Sequence, residues 1–201
     1  MNGSPGRPDE DATIIADSLE RPELFGELYR RHAAGIHRYA ARRLGEGSAE
    51  DITADTFLTA FRMRARYDVA RSSAQPWLYG IAANLIGRHR RTEVRALRAL
   101  ARTRHDPVAE SWTDRSDNRV AAQAAQGLLA GALAALSAGD RHVLLLVAWA
   151  DLGYQEVAEA LSIPVGTVRS RLNRARKKVR SALGGVDPTL VYDFQEVAGR
   201  G

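Results

Sequence analysis

The sequence predicts an all-α protein made of two small helical domains joined by a flexible linker, and three observations predict it. Apolar residues recur at spacings of three and four through most of the 201 residues. No segment shows the strict alternation of a half-buried strand. The helical period fades between residues 96 and 117, where Asp, Arg, Ser and Thr dominate, and then returns.

The elements follow in chain order. Residues 1–20 open rich in Gly, Pro and Asp and read as a frayed, disordered N-terminal segment. The first domain spans 21–95. Leu24, Phe25, Leu28, Tyr29, His32, Ile36, Tyr39, Ala40 and Leu44 make one face of a long helix, which Gly45 and Gly47 end. Ser48 is the expected cap of the next helix, with Glu50 and Asp51 in its first turn, where the dipole favours acids. Ile52, Thr56, Phe57 and Ala60 form its apolar side. Residues 67–75 read as a polar loop. Pro76 opens a third helix with Trp77, Leu78, Ile81, Ala82, Leu85 and Ile86 inward. Asn84, Arg88, Arg91 and Arg95 fall on one stripe of that helix, opposite Trp77, Ile81 and Leu85.

Beyond the 96–117 linker, a second domain spans 118–183. Leu128, Leu129, Leu133 and Leu136 sit in an Ala-rich helix, and Val143, Leu144, Val147 and Ala148 in the next. Two further helical patterns, within Tyr154–Arg180, are joined by a tight turn at Ser162 and Ile163. The first offers Val157, Ala158 and Leu161 as a docking edge. The second starts at Pro164 and carries Val165, Val168, Leu172, Ala175, Val179 and Leu183 on one stripe, with Arg169, Arg171, Arg174, Arg176, Lys177, Lys178 and Arg180 on its other faces. No acid interrupts them. One buried edge and a cationic remainder suit a DNA groove, so the pair reads as a helix-turn-helix. The competing reading is an amphipathic hairpin with a solvated basic face. The 184–201 tail holds Leu190, Val191, Tyr192 and Phe194 without a period.

Composition narrows the function. The formal net charge of +5 favours a polyanionic partner. Without cysteine the chain has no disulfide, thiolate metal site or thiol nucleophile. Its longest apolar run, Val143–Ala150, is too short to span a bilayer, and no targeting segment is visible, so a cytoplasmic protein without membrane insertion is expected. His32, His37, His89, His105 and His142 share no ligand spacing, and no phosphate loop or nucleophile motif appears. Asp51 and Asp55 lie one turn apart, but no third ligand stands near them in sequence. No cofactor, metal or catalytic residue is expected, and the chain does not read as an enzyme.

Three stretches of the first domain, LYRRHAAGIHRYAARRLG, AEDITADTFLTAFR and QPWLYGIAANLIGRHRR, resemble the successive helices of sigma domain 2. The stretch LSAGDRHVLLLVAWADLGYQEVAEALSIPVGTVRSRLNRARKKVR resembles sigma domain 4. The chain therefore resembles an RNA polymerase sigma factor of the extracytoplasmic function group, over about residues 22–92 and 118–183. The resemblance implies a protein that binds core RNA polymerase, recognises the −10 and −35 promoter elements and promotes DNA opening. It also implies roles for residues. Thr167, Arg169, Ser170 and Arg171 would face bases of the −35 element, while Arg174, Arg176, Lys177 and Lys178 would hold phosphates. Asn84, Arg88, Arg91 and Arg95 would follow the −10 strand while the 68–75 loop takes an unstacked base. Trp77 is either a stacking residue or core. Asp51, Asp55 and Phe57 would grip the β′ coiled coil of the polymerase, and the helices around Leu128–Leu146 would offer a groove to the β flap. An anti-sigma factor packed between the two domains is a further partner the group admits.

Three positions depart from the family pattern. Ser162 stands where Gly is usual, and a left-handed turn there would cost Ser on the order of 1 kcal/mol. Arg88 stands where Asp is frequent, and Ala54 where Gln is common. The rival function is a stand-alone helix-turn-helix regulator that binds DNA without polymerase. A nuclease is the enzymatic rival, and the missing metal cluster speaks against it.

Overall fold

A computed structural model describes residues 8–71, 73–102 and 115–184. The expected tail, most of the expected linker and the first seven residues lie outside the described residues. Apart from two short 3-10 turns, the regular elements among the described residues are α-helices: α1 (Pro8–Asp17), α2 (Phe25–Leu44), α3 (Glu46–Met63), α4 (Gln75–Arg88), α5 (Arg90–Arg102), α6 (Arg115–Ala135), α7 (Ala138–Trp149), α8 (Tyr154–Leu161) and α9 (Val165–Ala182). They form two compact units, Met1–Arg90 with Leu145–Val168, and Arg91–Leu144 with Arg169–Gly201.

In the first unit, α2, α3 and α4 bury most of the faces their periodicity predicts, but Tyr29, expected inward, is 48% exposed, and Trp77 and Leu85 are half-buried. Leu28, Ile36, Ala40, Ala49, Ala60, Leu78, Ala82 and Ile86 have essentially no exposure. Gly45 alone joins α2 to α3, at φ 89° and ψ 162°, a conformation that favours glycine. Helix α3 consequently begins at Glu46, and Ser48 lies inside its first turn rather than capping it. Thr53 and Thr56 are buried on α3, and their hydroxyls donate to the carbonyls of Ala49 at 2.7 Å and Ile52 at 2.6 Å. Those bonds remove the penalty of burying an unpaired hydroxyl.

The N-terminal segment, expected to be frayed, is helical from Pro8 to Asp17 and packs on α2. Ile15 is 1% exposed and supplies the apolar contact. Helix α8 lies on α4, where Gly80 permits the approach: a methyl group there would overlap the Ala160 carbonyl. Gln75 Nε2 donates to the Ala150 carbonyl at 3.1 Å, and Arg71 Nη1 stands 3.9 Å from Glu159 Oε2.

Helix α8 is capped at both ends. The Glu156 carboxylate accepts from the Gly153 N–H at 2.7 Å, the reciprocal half of a capping box. At its other end Ser162 has φ 51° and ψ 47°. Ile163 N–H reaches the Ala158 carbonyl at 3.0 Å and Ser162 N–H the Glu159 carbonyl at 3.2 Å, the paired bonds of a Schellman ending. The turn thus keeps the left-handed residue and places a serine in it. Ile163, expected as a core plug, is half-buried.

In the second unit the core gathers Leu97 of α5, Ala130, Ala132 and Leu133 of α6, Leu136, Val143 of α7, and Leu172, Ala175 and Val179 of α9. Two charged residues join them, since Glu93 and Arg141 are each 1% exposed. Arg141 Nε donates to Glu93 Oε2 at 3.2 Å, and its Nη1 donates to the carbonyls of Leu133 and Leu136, both at 3.1 Å. The guanidinium therefore closes the end of α6 and neutralises a carboxylate from α5.

Helix geometry corrects two further sequence expectations. Residues 96–102 and 115–117, expected as linker, are helical in α5 and α6, and Leu97 is buried. The helix opened by Pro76 does not run unbroken through residue 95. His89, at φ −89° and ψ 18°, ends α4, and Arg91 and Arg95 belong to α5.

The turn at Ser162 generates a prediction. Ser162→Gly removes the Cβ clash of the left-handed conformation, so it should raise the stability of the chain by about 1 kcal/mol. The urea midpoint followed by circular dichroism measures this. A midpoint that stays put or falls would show the serine to be unstrained.

Candidate nucleic-acid interface

Helix α9 has the amphipathic division its sequence predicts. Val168, Leu172, Ala175 and Val179 are 0–2% exposed. Arg169, Ser170, Arg174, Lys177 and Lys178 are exposed, and Thr167, Arg171 and Arg176 are half-buried. Thr167 N–H closes the first turn on the Pro164 carbonyl at 2.8 Å. Two arginines are held by α7. The Arg171 guanidinium lies over Gly139, where a Cβ would sit 2.8 Å from Nη1. Arg174 Nη2 donates to Asp140 Oδ1 at 3.0 Å. Asp140 is itself 4% exposed, and its N–H bonds the Ser137 Oγ at 3.2 Å, capping α7. Burial raises the Asp140 pKa, but the hydrogen bonds from Arg174 and Ser137 and the nearby Arg174 and Lys178 charges outweigh it, so the net shift is downward. Arg174 is thereby oriented, and part of its charge is neutralised within the protein.

Asn84 and Arg88 are exposed on α4, and Arg91 and Arg95 are exposed on α5. The first unit holds a cavity of about 270 Å³ beside Asn84, lined by Tyr67, Asp68, Arg71, Trp77, Ile81, Glu159 and Ser162 among others. The Tyr67 and Trp77 rings meet at 4.9 Å between centroids. Trp77 is therefore neither fully core nor fully free: one side supports Tyr67 and another lines the cavity. Burial first, then the Asp11 charge, pushes the Tyr67 phenol up to about 12. It stays protonated at neutral pH and donates to the Arg71 carbonyl at 3.4 Å. Asp68 Oδ1 accepts from the Ala70 N–H at 3.1 Å, a local turn within the loop.

On α3, Asp51, Ala54 and Asp55 are exposed, with Leu58 at 46% exposure one turn on. Phe57 is 5% exposed and stacks edge-on against Tyr29 at 4.8 Å. Tyr29 is 48% exposed. The apolar surface beside the two acids is thus made by Leu58 and Tyr29, with Phe57 bracing it from beneath. No group of three or more His, Cys, Asp or Glu suited to a metal occurs among the described residues. No described helix is long and apolar enough to cross a membrane.

Sequence reasoning missed three carboxylates. Asp140 and Glu93 are ordinary acids in a basic stretch until their arginines are placed. Asp11 falls in the segment that reads as frayed, yet it is 4% exposed. Its Oδ2 lies 2.8 Å from His32 Nε2 and accepts the Ala74 N–H at 3.2 Å. Its pKa is raised by burial but lowered more by the His32 hydrogen bond and charge, the Ala74 N–H and Arg31, for a net downward shift.

Comparison with known proteins places this geometry. Residues 28–96 match the family model for Sigma-70 region 2, and residues 126–179 match that for Sigma-70, region 4. The ECF RNA polymerase sigma factor SigL of Mycobacterium tuberculosis is 33% identical over 173 residues, covering 86% of this chain and 96% of the relative. SigC of the same species is 34% identical over 141 residues, covering 70% and 73%. Among solved structures, CnrH in complex with the cytosolic domain of CnrY aligns with TM-score 0.60 and 24% identity, over 87% of this chain and 97% of that one. The sigma factor RpoE of Bartonella quintana, solved with the anti-sigma factor NepR, aligns with TM-score 0.53 and 20% identity, over 80% and 96%. These two structural likenesses establish the fold.

The two depressed aspartates set an acid limit. Because Asp11 and Asp140 bind protons less readily folded than unfolded, their stabilisation is complete above the unfolded pKa of 3.8 and is lost as pH falls through the folded values. The denaturant midpoint should therefore fall below about pH 4. The double variant Asp11→Asn, Asp140→Asn should be less stable at pH 7 and show a shallower acid limb. A limb as steep as the parent's would assign the acid loss to other groups.

Proposed function

The chain belongs to the extracytoplasmic function group of RNA polymerase sigma-70 factors, and on that premise we propose that it grips core RNA polymerase through α3 and reads its promoter through α4, α5 and α9. The observation that carries the DNA-reading half is α9 itself. It has one buried apolar edge, cations on its other faces, no acid of its own, and a start fixed by the left-handed turn.

In this reading Thr167, Arg169, Ser170 and Arg171 face the −35 element. Arg171 meets the groove from a fixed position, because its packing over Gly139 limits its rotamers. An arginine with less freedom to lose reads guanine O6 and N7 at lower entropic cost. Arg174, Arg176, Lys177 and Lys178 serve phosphates. Asn84, Arg88, Arg91 and Arg95 serve the −10 element, and the cavity beside Asn84, with Tyr67 and Trp77 in its wall, takes an unstacked base. Asp51 and Asp55, with the Leu58 and Tyr29 surface braced by Phe57, serve the β′ coiled coil, and the α6–α7 region serves the β flap. We also infer an anti-sigma partner, because a structural neighbour was solved with one. The chain acts as an initiation factor with no reaction of its own. The stand-alone regulator reading has no need of the α3 surface.

Run-off transcription with sigma-free core polymerase tests this on DNA upstream of the gene. Start-site-specific transcript should appear only when the protein is added. Asp51→Arg with Asp55→Arg should abolish co-migration with core while the circular dichroism spectrum stays unchanged, since both carboxylates are exposed. Undiminished core affinity would remove α3 from the interface and favour the stand-alone regulator.

The two classes of α9 contact separate by their signatures. Arg171→Ala should narrow the preference for cognate over substituted −35 sequence by about 5–100-fold, the value of a bidentate base contact. Lys177→Ala with Lys178→Ala should weaken all promoters alike and reduce the slope of log affinity against log salt by about 2. Equal weakening on every −35 sequence by Arg171→Ala would make it a phosphate contact.

A further inference from the structure

Helix α1 and the turn that ends it bond the chain on either side of the loop before α4, the stretch expected to take an unstacked base. At the near end, Arg64 Nε donates to the Ser18 carbonyl at 3.3 Å, just past the end of α1. At the far end, the Asp11 carboxylate accepts the Ala74 N–H. This second contact answers a deficit of α4. A helix leaves its first four N–H groups without internal partners. In α4 these belong to Ala74, Gln75, Pro76 and Trp77, and Pro76 has none to offer. Ser73 Oγ serves Gln75 at 3.1 Å. Ala74 has no side chain able to cap, and its N–H is served by a carboxylate 63 residues away.

Asp11 is well placed for that task. Its side chain is 5% exposed, so its charge acts where water screens little. His32 Nε2 at 2.8 Å and Arg31 Nη1 at 3.6 Å fix the carboxylate from α2. Arg31 is in turn tied to Glu10 at 2.7 Å and Glu27 at 3.3 Å. A carboxylate can only accept, and Oδ2 of Asp11 takes the hydrogen bonds of both His32 and Ala74 while Oδ1 faces Arg31 as an ion pair.

We infer that Asp11 is a positioning residue for −10 recognition: by capping Ala74 from α1 it fixes the start of α4, and with it the shape of the proposed base-binding cavity beside Asn84, whose wall includes Trp77. This rests on the assignment of that loop and cavity to the −10 element.

The test uses the full chain with core polymerase and compares run-off on the cognate promoter, on one substituted at −10 and on one substituted at −35. Asp11→Ala should reduce the cognate-to-substituted ratio at −10 about tenfold, the size of one charge-assisted hydrogen bond, and leave the −35 ratio and core affinity unchanged. Asp11→Asn, which keeps an acceptor for Ala74, should recover part of the −10 ratio. Ile15→Ala, an apolar truncation of the same helix, should lower the melting temperature and leave the −10 ratio intact. A −10 ratio unchanged by Asp11→Ala but collapsed by Asn84→Ala would overturn the inference and keep the loop assignment. A ratio moved by neither would overturn both. Equal loss in Ile15→Ala and Asp11→Ala would reduce α1 to a stabilising helix without a part in selectivity.

Discussion

A guanidinium with 1% exposure cannot stand uncompensated, and Arg141 sets the terms for the unit around it. Its charge requires a carboxylate, which α5 supplies as Glu93, and its remaining N–H groups require acceptors, found at the end of α6. Three helices therefore converge on one side chain. Removing either partner leaves an unpaired buried charge, at a cost of about 3–5 kcal/mol. The same rule runs through the first unit. Arg43, 2% exposed, donates to the Tyr39 hydroxyl at 2.8 Å and lies over its ring. Arg31 is held among Glu10, Asp11 and Glu27. In this basic chain Arg31, Arg43 and Arg141, all drawn inward, are matched by acids or by a phenol oxygen.

The cationic surfaces differ in stiffness, and the difference follows from what lies beneath. On α9, Arg171 and Arg174 are braced by α7, through Gly139 and Asp140, whereas Lys177 and Lys178 stand in solvent. Pre-set side chains favour discrimination, and free ones favour sequence-tolerant attraction. The cavity of the first unit joins an aromatic wall, Tyr67 and Trp77, to the polar Asn84. Such a site combines stacking with hydrogen bonding, which an unpaired base needs and a duplex does not offer.

Much of the fold was legible because helical period is local information. The inward faces at Leu28, Ile36, Ile52, Ala60, Leu78, Ile86 and Val168 could be read without knowing any neighbour. The turn at Ser162 was legible as a break between two helical patterns, while its left-handed conformation, at φ 51°, followed only from the glycine usual there in the family. The exposed acids at 51 and 55 followed from the same period. What escaped was pairing across distance. Asp11 meets partners 21 and 63 residues away, and Glu93 meets one 48 residues away. In sequence each looks like a solvated acid, because nothing local marks a carboxylate for burial. The break at His89 also escaped, since Asn84, Arg88, Arg91 and Arg95 keep helical spacing across it while the backbone does not. Phe57 shows a finer limit. Neighbouring helix positions lie about 100° apart, so Phe57 turns inward while Leu58 turns out.

Gly80 has a consequence of a different kind. At Gly80 the backbone of α8 occupies the place of a side chain, so the helices approach there because one atom is missing. A glycine codon becomes an alanine codon by a single nucleotide change, so the seating of α8 on α4 stands one base substitution from disruption. In a population, position 80 therefore offers a short genetic path to a protein with an unchanged charge pattern and α8 seated differently on α4.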